Sequence, residues 1–454
     1  MATEKMNMCE GPFLKKIIRF TVPVMLTGLL QLAFNAADLI VVGQFCGSTA
    51  VGAVGATGSL TSLFVNLFMG LSVGAGVAVA QALGAKDDET ARKTVHTAFP
   101  VALLCGIALS LVGLLLSEPM LKLMDTPEAE LPLAVLYMKI YFCGSAASLV
   151  YNFGAAILRA AGDTKGPLMF LSVAGALNVG LNTLFVTVFS MSADGVALAT
   201  VLAQCLSAAL VVRALSKRSD PWRLSFSALR IYPAPLRKIL SVGIPSGIQS
   251  SLFSIANVQI QSAINSFGST FLSGNSAASN VGSFPLSATN SVYHAAVNFA
   301  GQNVGANRPE NVRKIFRASC LCATVIGCIL GALLMIFARP LLGIYITDSP
   351  QAIDDGVLRI LCIYAPCALA GIMEVSTGVL RGMGKSVAPM ITSILGICAL
   401  RVLWLKTLFV WFPTPECLHI SFPASWLLTF LVQYVIFRHY LKKFTGNTLR
   451  EVTT

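Results

Sequence analysis

Four charged side chains interrupt stretches of this 454-residue chain that are otherwise strongly apolar. Asp38 lies in LLQLAFNAADLIVVG, Glu374 in GIMEVSTGVLRG, and Arg401 and Lys406 in ICALRVLWLKTLFV. A charge at mid-membrane depth costs about 2.5–3.5 kcal/mol on insertion scales, which makes each one a functional candidate. A carboxylate such as Asp38 can take up a proton or a sodium ion in one conformation and release it in another; the alternative is a hydrated, structural carboxylate near a helix end. Glu374 stands seven residues before Arg381, two helical turns away. It could be a second cation site, a ligand for cationic substrates, or half of an intramembrane pair with Arg401 or Lys406. Arg401 could also be structural, and Lys406 could snorkel to the interface.

Uncharged polar side chains add a second set. Asn178 and Asn182 are four residues apart, which puts both amides on one helix face, either as ligands or as helix-packing groups. Thr200, Gln204, Asn257, Gln261 and Asn290 fall in other apolar stretches. Most such groups make interhelical hydrogen bonds worth about 0.6 kcal/mol each, and a minority line a cavity. Gln31, Asn35 and Tyr137 join Glu374 and Arg401 as candidates for a substrate or second-lobe site. No GxxxxGK[ST] loop occurs, which argues against ATP as the energy source. The four histidines show no metal-ligand spacing, and the twelve cysteines contain no CxxC. Cys46 and Cys417 could pair only if the fold joined them. No nucleophile, base and acid constellation falls in the spans, so no enzyme is expected.

The elements that position these residues must be helices in lipid. Fifty-five percent of the chain is hydrophobic and 11% charged, a balance that leaves too little polar surface for a soluble protein. Apolar stretches of about 20 residues recur, predicting an all-α membrane protein of twelve spans, the first near 14–42 and the last near 421–442. The eighth, near 272–304, reads SGNSAASNVGSFPLSATNSVYHAAVNFAGQ and is helical by symmetry rather than by hydropathy. The first apolar run lacks a cleavage site for a removable signal. Alternate breaks and the two termini carry 26 of the 32 Lys and Arg, which orients the chain with both termini cytoplasmic in a plasma membrane. The net charge of +12 is therefore topology rather than a nucleic-acid face.

An internal repeat sets the architecture. QALGAKDDETARK from Gln81 returns 221 residues later as QNVGANRPENVRK from Gln302. Pro23 returns as Pro245, and LRAAGDTKGP from Leu158 as LRGMGKSVAP from Leu380, both 222 residues on. DTPEAE at Asp125 echoes DSPQAI at Asp348. Six spans per repeat return the chain to its starting face, so the halves run parallel: a lobe over 1–212, a basic flexible linker over 213–239, and a lobe over 240–454. Two such lobes are the parts of alternating access. Pro23 and Pro245 lie inside the first span of each lobe and should kink or weaken it, as gating points.

The chain resembles the multidrug and toxic compound extrusion family. The likeness rests on PVMLTGLLQLAFNAADLIVVG in span one, VGAGVAVAQALGAK closing span two, the RAAGDTKGP and RGMGKSVAP turns, and ADGVALATVLAQ opening span six. It implies a MATE/MOP-type fold of two pseudo-symmetric six-helix lobes and export of amphipathic or cationic organic compounds in exchange for H+ or Na+. The DinF-like branch of the family has a first-lobe cation site that falls here on Asp38, Asn178, Asn182 and Thr200, where Na+ could bind. Asn182 departs from the Asp often found there, which should weaken a sodium site. The NorM-like branch fits less well, because its span-seven Glu meets an apolar stretch around Phe253. Expected partners are the lipid bilayer and a small organic substrate, with no nucleic acid, no cofactor beyond the coupling ion, and a functional monomer. Alternatives are an exporter or flippase of a lipid-linked or peptidic metabolite, and an ion channel. Asp38 aligns with Ile260 or Gln259, so coupling is assigned to the first lobe.

Overall fold

The computed structural model describes residues 6–124, 126–347 and 349–453, without the side chains of Ser48, Ser59, Ile255, Val258 and residues 447–453. Asp125 and Asp348, which mark one echo of the repeat, lie outside the described residues. The chain is helical: α1 (Phe13–Phe45), α2 (Ser48–Gly84), α3 (Asp88–Leu123), α4 (Leu131–Cys143), α5 (Ser145–Ala160), α6 (Lys165–Thr187), α7 (Ala193–Ser216) and α8 (Pro233–Asn265). It continues through α9 (Ser269–Gly305), α10 (Pro309–Gly343), α11 (Pro350–Arg359), α12 (Cys367–Gly382), α13 (Val387–Ser393), α14 (Leu400–Lys406), α15 (Leu408–Trp411) and α16 (Pro415–Thr453). In lipid, helices satisfy their own backbone groups, which is why this composition folds so.

Among the described residues ten helical segments are long and apolar enough to cross a membrane, and the pair α4 and α5, bent by 45°, makes an eleventh. The twelfth is α9, the 37-residue helix expected from symmetry. Its polarity is tolerated because more than half of its residues are buried, among them Asn275, Thr289, Asn298 and Asn303. By contrast α10 presents Leu321, Val325, Ile329 and Ile336 outward, as a lipid-facing helix should.

The repeat is written into the backbone. Both α2 and α9 are 37 residues long, each begins after a glycine with positive φ (Gly47 and Gly268), and each ends in the same turn. In that turn Lys86 and Asn307 have φ values of 56° and 55°, while Ala85 and Ala306 donate to the carbonyls of Gln81 and Gln302. The turns after α5 and α12 likewise place Gly162 and Gly384 at positive φ, which glycine adopts without penalty. The next helices begin differently: Asp87 caps α3 by accepting from the Thr90 amide at 2.9 Å, whereas α10 starts on Pro309.

The chain forms two compact units, one built on Leu26–Ser251 and the other on Asn7–Met25 with the chain from Leu252 onward. The chain passes between them inside α1, after Met25, and inside α8, after Ser251, in each case within about two turns of Pro23 or Pro245. Both helices run on through their prolines. In the first unit α2 and the opening half of α8 meet backbone to backbone, because Gly70 and Gly74 face Gly243 and Gly247.

The basic segment 213–239 differs from the flexible linker expected. It folds onto the first unit: Trp222 and Leu224 enter the core beside Val211 and Leu215, and the Ser225 amide donates to His96 Nε2 at 3.1 Å. Arg218 lies over the Trp222 ring at 4.8 Å and pairs with Asp220 at 2.8 Å, so this charge is spent inside the protein. An indole buries too much apolar area to be left as a tether. The Gly247 contact leads to a test. Gly247→Leu should destabilise the purified protein by about 1–3 kcal/mol or more through overpacking, read as a lower thermal midpoint in detergent, whereas Leu115→Ile on the outer face should leave it unchanged.

Candidate functional site

Asp38 occupies the last third of α1, on the stripe Gln31, Asn35 and Asp38 that a helix places on one face. Asn178 and Asn182 project from one face of α6, and Thr200 stands two turns into α7. The structure brings these four together. The Asn182 amide donates to an Asp38 carboxylate oxygen and sits 3.4 Å from Asn178 Oδ1; Asn178 donates in turn to the Thr200 hydroxyl at 3.3 Å. Thr200 donates to the Val196 carbonyl at 3.0 Å, which leaves its oxygen aimed at its neighbours as an acceptor. Asn178 and Asn182 are buried, while Asp38 and Thr200 are partly accessible.

Local sequence explains why α1 comes so close to α6. Gly175, one turn before Asn178, meets Phe34, one turn before Asp38, and any Cβ at 175 would land in the Phe34 ring. Beyond the polar cluster, Val42, Val186 and Val196 pack with the partly buried Tyr137, so an apolar plug closes one end of the site. Tyr137 also stacks on Tyr141, with ring centroids 6.3 Å apart. Gln31 and Asn35 are exposed, outside the hydrogen-bonded group.

Three oxygen-bearing side chains, Asn178, Asn182 and Thr200, thus gather around a single carboxylate. Asn182 Oδ1 is buried with no hydrogen-bond partner among the described residues, and an unmet buried acceptor is costly. A sodium ion fits that donor set, being a hard cation that prefers oxygen, and so does a proton on Asp38, whose O–H would meet the unmet Asn182 oxygen. One carboxylate balances one positive charge. Among the described residues no group of three or more His, Cys, Asp or Glu is arranged to hold a metal ion.

In the second unit Glu374 (α12) and Arg401 (α14) line a common cavity of about 440 Å³, without an ion pair between them among the described residues. Lys406 is exposed and does not join them. Arg401 donates through Nε to the Ser425 hydroxyl at 3.0 Å and lies 4.1 Å from the centroid of Phe422. Ile260, one of the two positions that align with Asp38, lines the same cavity. The structure adds a residue that the sequence analysis does not single out: Arg359, 8% exposed, also lines this cavity. The available signal was its place ten residues into an apolar-flanked helix beginning at Pro350, too deep for a loop anchor. All twelve cysteines are free, so Cys46 and Cys417 do not pair.

Similarity to known proteins tracks the repeat. The MatE family model matches residues 23–184 and again residues 245–404, starting at Pro23 and at Pro245. The chain is 28% identical over 397 residues to a probable multidrug resistance protein, YpnP, of Bacillus subtilis, covering 86% of this chain and 87% of that one. It is 24% identical over 435 residues to a probable multidrug resistance protein, NorM, of Thermotoga maritima, covering 94% and 91%. A solved outward-facing multidrug resistance MATE family transporter of the MOP superfamily superposes with a TM-score of 0.91 over 98% of this chain and 100% of that one; at 20% identity the likeness is one of fold.

The site geometry makes one expectation sharp. Asn182→Asp would place a second carboxylate beside Asp38 and should raise apparent sodium affinity about tenfold, since charge count among ligands sets cation affinity. Sodium titration of transport in proteoliposomes reads it; an unchanged sodium dependence would remove Asn182 from the ion site.

Proposed function

We propose, from the premise that the chain belongs to the MatE family of multidrug and toxic compound extrusion proteins, that it is a secondary active antiporter. It exports amphipathic or cationic organic compounds in exchange for H+ or Na+ by alternating access. The observation that carries the coupling role is the Asn182 to Asp38 hydrogen bond, extended through Asn178 to Thr200. As a carboxylate, Asp38 accepts from Asn182. Once it holds a proton it gains an O–H donor, and turning the Asn182 amide over would offer that donor the Asn182 oxygen. A bound sodium ion favours the same reorientation, because it draws on oxygens and repels N–H groups.

Either ion therefore rearranges the contact between α1 and α6. That contact is tight, with Gly175 against Phe34, and close-packed helices respond by shifting as bodies rather than by deforming. The helix that feels the change, α1, is also one of the two that continue from the first unit into the second. Its Pro23 interior lacks one backbone hydrogen bond and bends at lower cost than an unbroken helix. The ion state at Asp38 is in this way linked to the part of the chain best able to move.

The protein works as a monomer in the plasma membrane with both termini cytoplasmic, and it is not an enzyme. Two experiments test this reading. With the purified protein in liposomes and proton and sodium gradients imposed separately, Asp38→Asn should abolish gradient-driven export, leaving only the rate seen without a gradient. Export unchanged across pH and sodium concentration would remove the coupling role. For topology, Lys86→Cys and Asn307→Cys, both in exposed turns, should label from the cytoplasmic side only in a background with other cysteines blocked. Labelling of either from outside would overturn the orientation.

A further inference from the structure

We propose that the cavity of the second unit is a binding site for an amphipathic organic oxyanion, a flat aromatic body carrying a carboxylate, sulfonate or phosphate, held by Arg359 and Arg401. The proposal rests on the exporter reading and names a cargo class for a cavity that the ion site leaves unused.

Both guanidinium groups are buried, Arg359 at 8% and Arg401 at 5% exposure, and both line the cavity. Among the described residues neither has a carboxylate within the 4.0 Å of an ion pair. Their partners are all neutral. Arg359 donates to Asn275 Oδ1 at 2.5 Å, to the Tyr364 hydroxyl at 3.4 Å and to Ser279 at 3.5 Å. Arg401 uses only Nε, toward Ser425, which leaves both terminal amino groups without a protein partner among the described residues. One ring serves both cations: Phe422 has its centroid 4.1 Å from the Arg401 guanidinium carbon and 6.0 Å from that of Arg359. The charges therefore stand within about 10 Å of each other, both against the same aromatic ring.

Two like charges in a low-dielectric pocket repel, and a guanidinium offers parallel N–H groups that match an oxyanion. The free edge of Arg401 is that offer. Among the described residues Glu374 is the only acid in the lining, beside two arginines, so the pocket stays cationic even with Glu374 ionised. The rest of the lining suits a flat, partly polar molecule: Phe253, Phe422 and Trp426 for the ring, Asn257, Gln261 and Asn290 for polar substituents. At about 440 Å³ the cavity holds a small organic molecule.

The backbone supports the same assignment. The chain makes a π-helical turn at Ile360–Tyr364, directly after Arg359, and another at Ile394–Ala399, two residues before Arg401. Such turns insert one residue and re-aim the side chains beside them, and they concentrate at functional sites. Both here flank the two arginines that face the cavity.

The test uses the full-length protein in nanodiscs of zwitterionic lipid at pH 8, with no gradient, so that it is independent of Asp38 coupling. Two probes share a xanthene skeleton: fluorescein, an anion, and rhodamine 123, a cation. Fluorescence anisotropy should show fluorescein binding weakened about tenfold by Arg401→Gln, partly restored in Arg401→Lys, and tightened severalfold by Glu374→Gln, with rhodamine 123 affinity unmoved by Arg401→Gln. The Glu374→Gln arm stands even if the arginine variants fail to fold. Wild-type affinity for fluorescein in Arg401→Gln, or no tightening in Glu374→Gln, would overturn the proposal. A third arm adds phosphatidylglycerol: if it displaces fluorescein and proteoliposomes do not transport the dye, the pocket takes a lipid headgroup and the cargo assignment falls. If Asp38→Asn leaves export intact while fluorescein binding behaves as expected, the coupling reading fails and this one stands.

Discussion

Inside a bilayer no water is present to satisfy a polar group, so every donor and acceptor must find its partner within the protein or give directly onto a hydrated cavity. Much of this structure answers that constraint. The backbone does so by becoming helix almost throughout, and side chains do so by where they face. Asn303 on α9 donates to the Met8 and Phe299 carbonyls at 2.9 and 2.8 Å, and Gln433 on α16 bonds Thr377, Thr392 and Ser393. Serines and threonines return to the carbonyl one turn back, as Ser246 and Thr429 do. Against that background an unmet buried group stands out, and Asn182 Oδ1 lies in the cluster that holds Asp38.

The repeat made the frame readable to the level of single dihedral angles. Gln81 and Gln302, chosen as sequence matches, open the same turn with φ near 55° at Lys86 and Asn307. The polar eighth span is helical because symmetry required a helix there, and burial on several faces explains how lipid tolerates it. The ion-site candidates were readable for a different reason. Asn178 and Asn182 share a face by spacing alone, but their meeting with Asp38 joins positions 144 residues apart. Only the family resemblance pointed to that, and the physical cause, Gly175 opposite Phe34, has no local pattern.

Two features could not be read. The segment 213–239 reads as a tether because Pro, Ser and basic residues dominate it, yet Trp222 and Leu224 enter the core and dock it. Arg359 is the other, since hydropathy cannot distinguish a basic residue at a helix end from one turned into a cavity. Which way such a residue points depends on helix phase. The π-helical turns at Ile360–Tyr364 and Ile394–Ala399 change that phase by an extra residue, and they carry no recognisable sequence signature.

Those turns also explain how one ancestral frame supports two different interiors. In the first unit α6 runs unbroken from Lys165 to Thr187, which keeps Asn178 and Asn182 in phase and aimed at α1. Its counterpart in the second unit is interrupted: α13 ends at Ser393, a π-helical turn intervenes, and α14 resumes at Leu400. An inserted residue rotates the downstream helix by roughly 100°, the angle per residue of a 3.6-residue helix, so the face after the turn is not the one that symmetry predicts. Arg401 lies on this re-aimed segment, and Ile260 or Gln259, neither of them a carboxylate, aligns with Asp38. The two changes remove a carboxylate and turn in a cation. A closely packed cluster around one carboxylate in one unit and a cavity lined by two arginines in the other then arise from two backbone irregularities and a few side-chain exchanges on a shared scaffold.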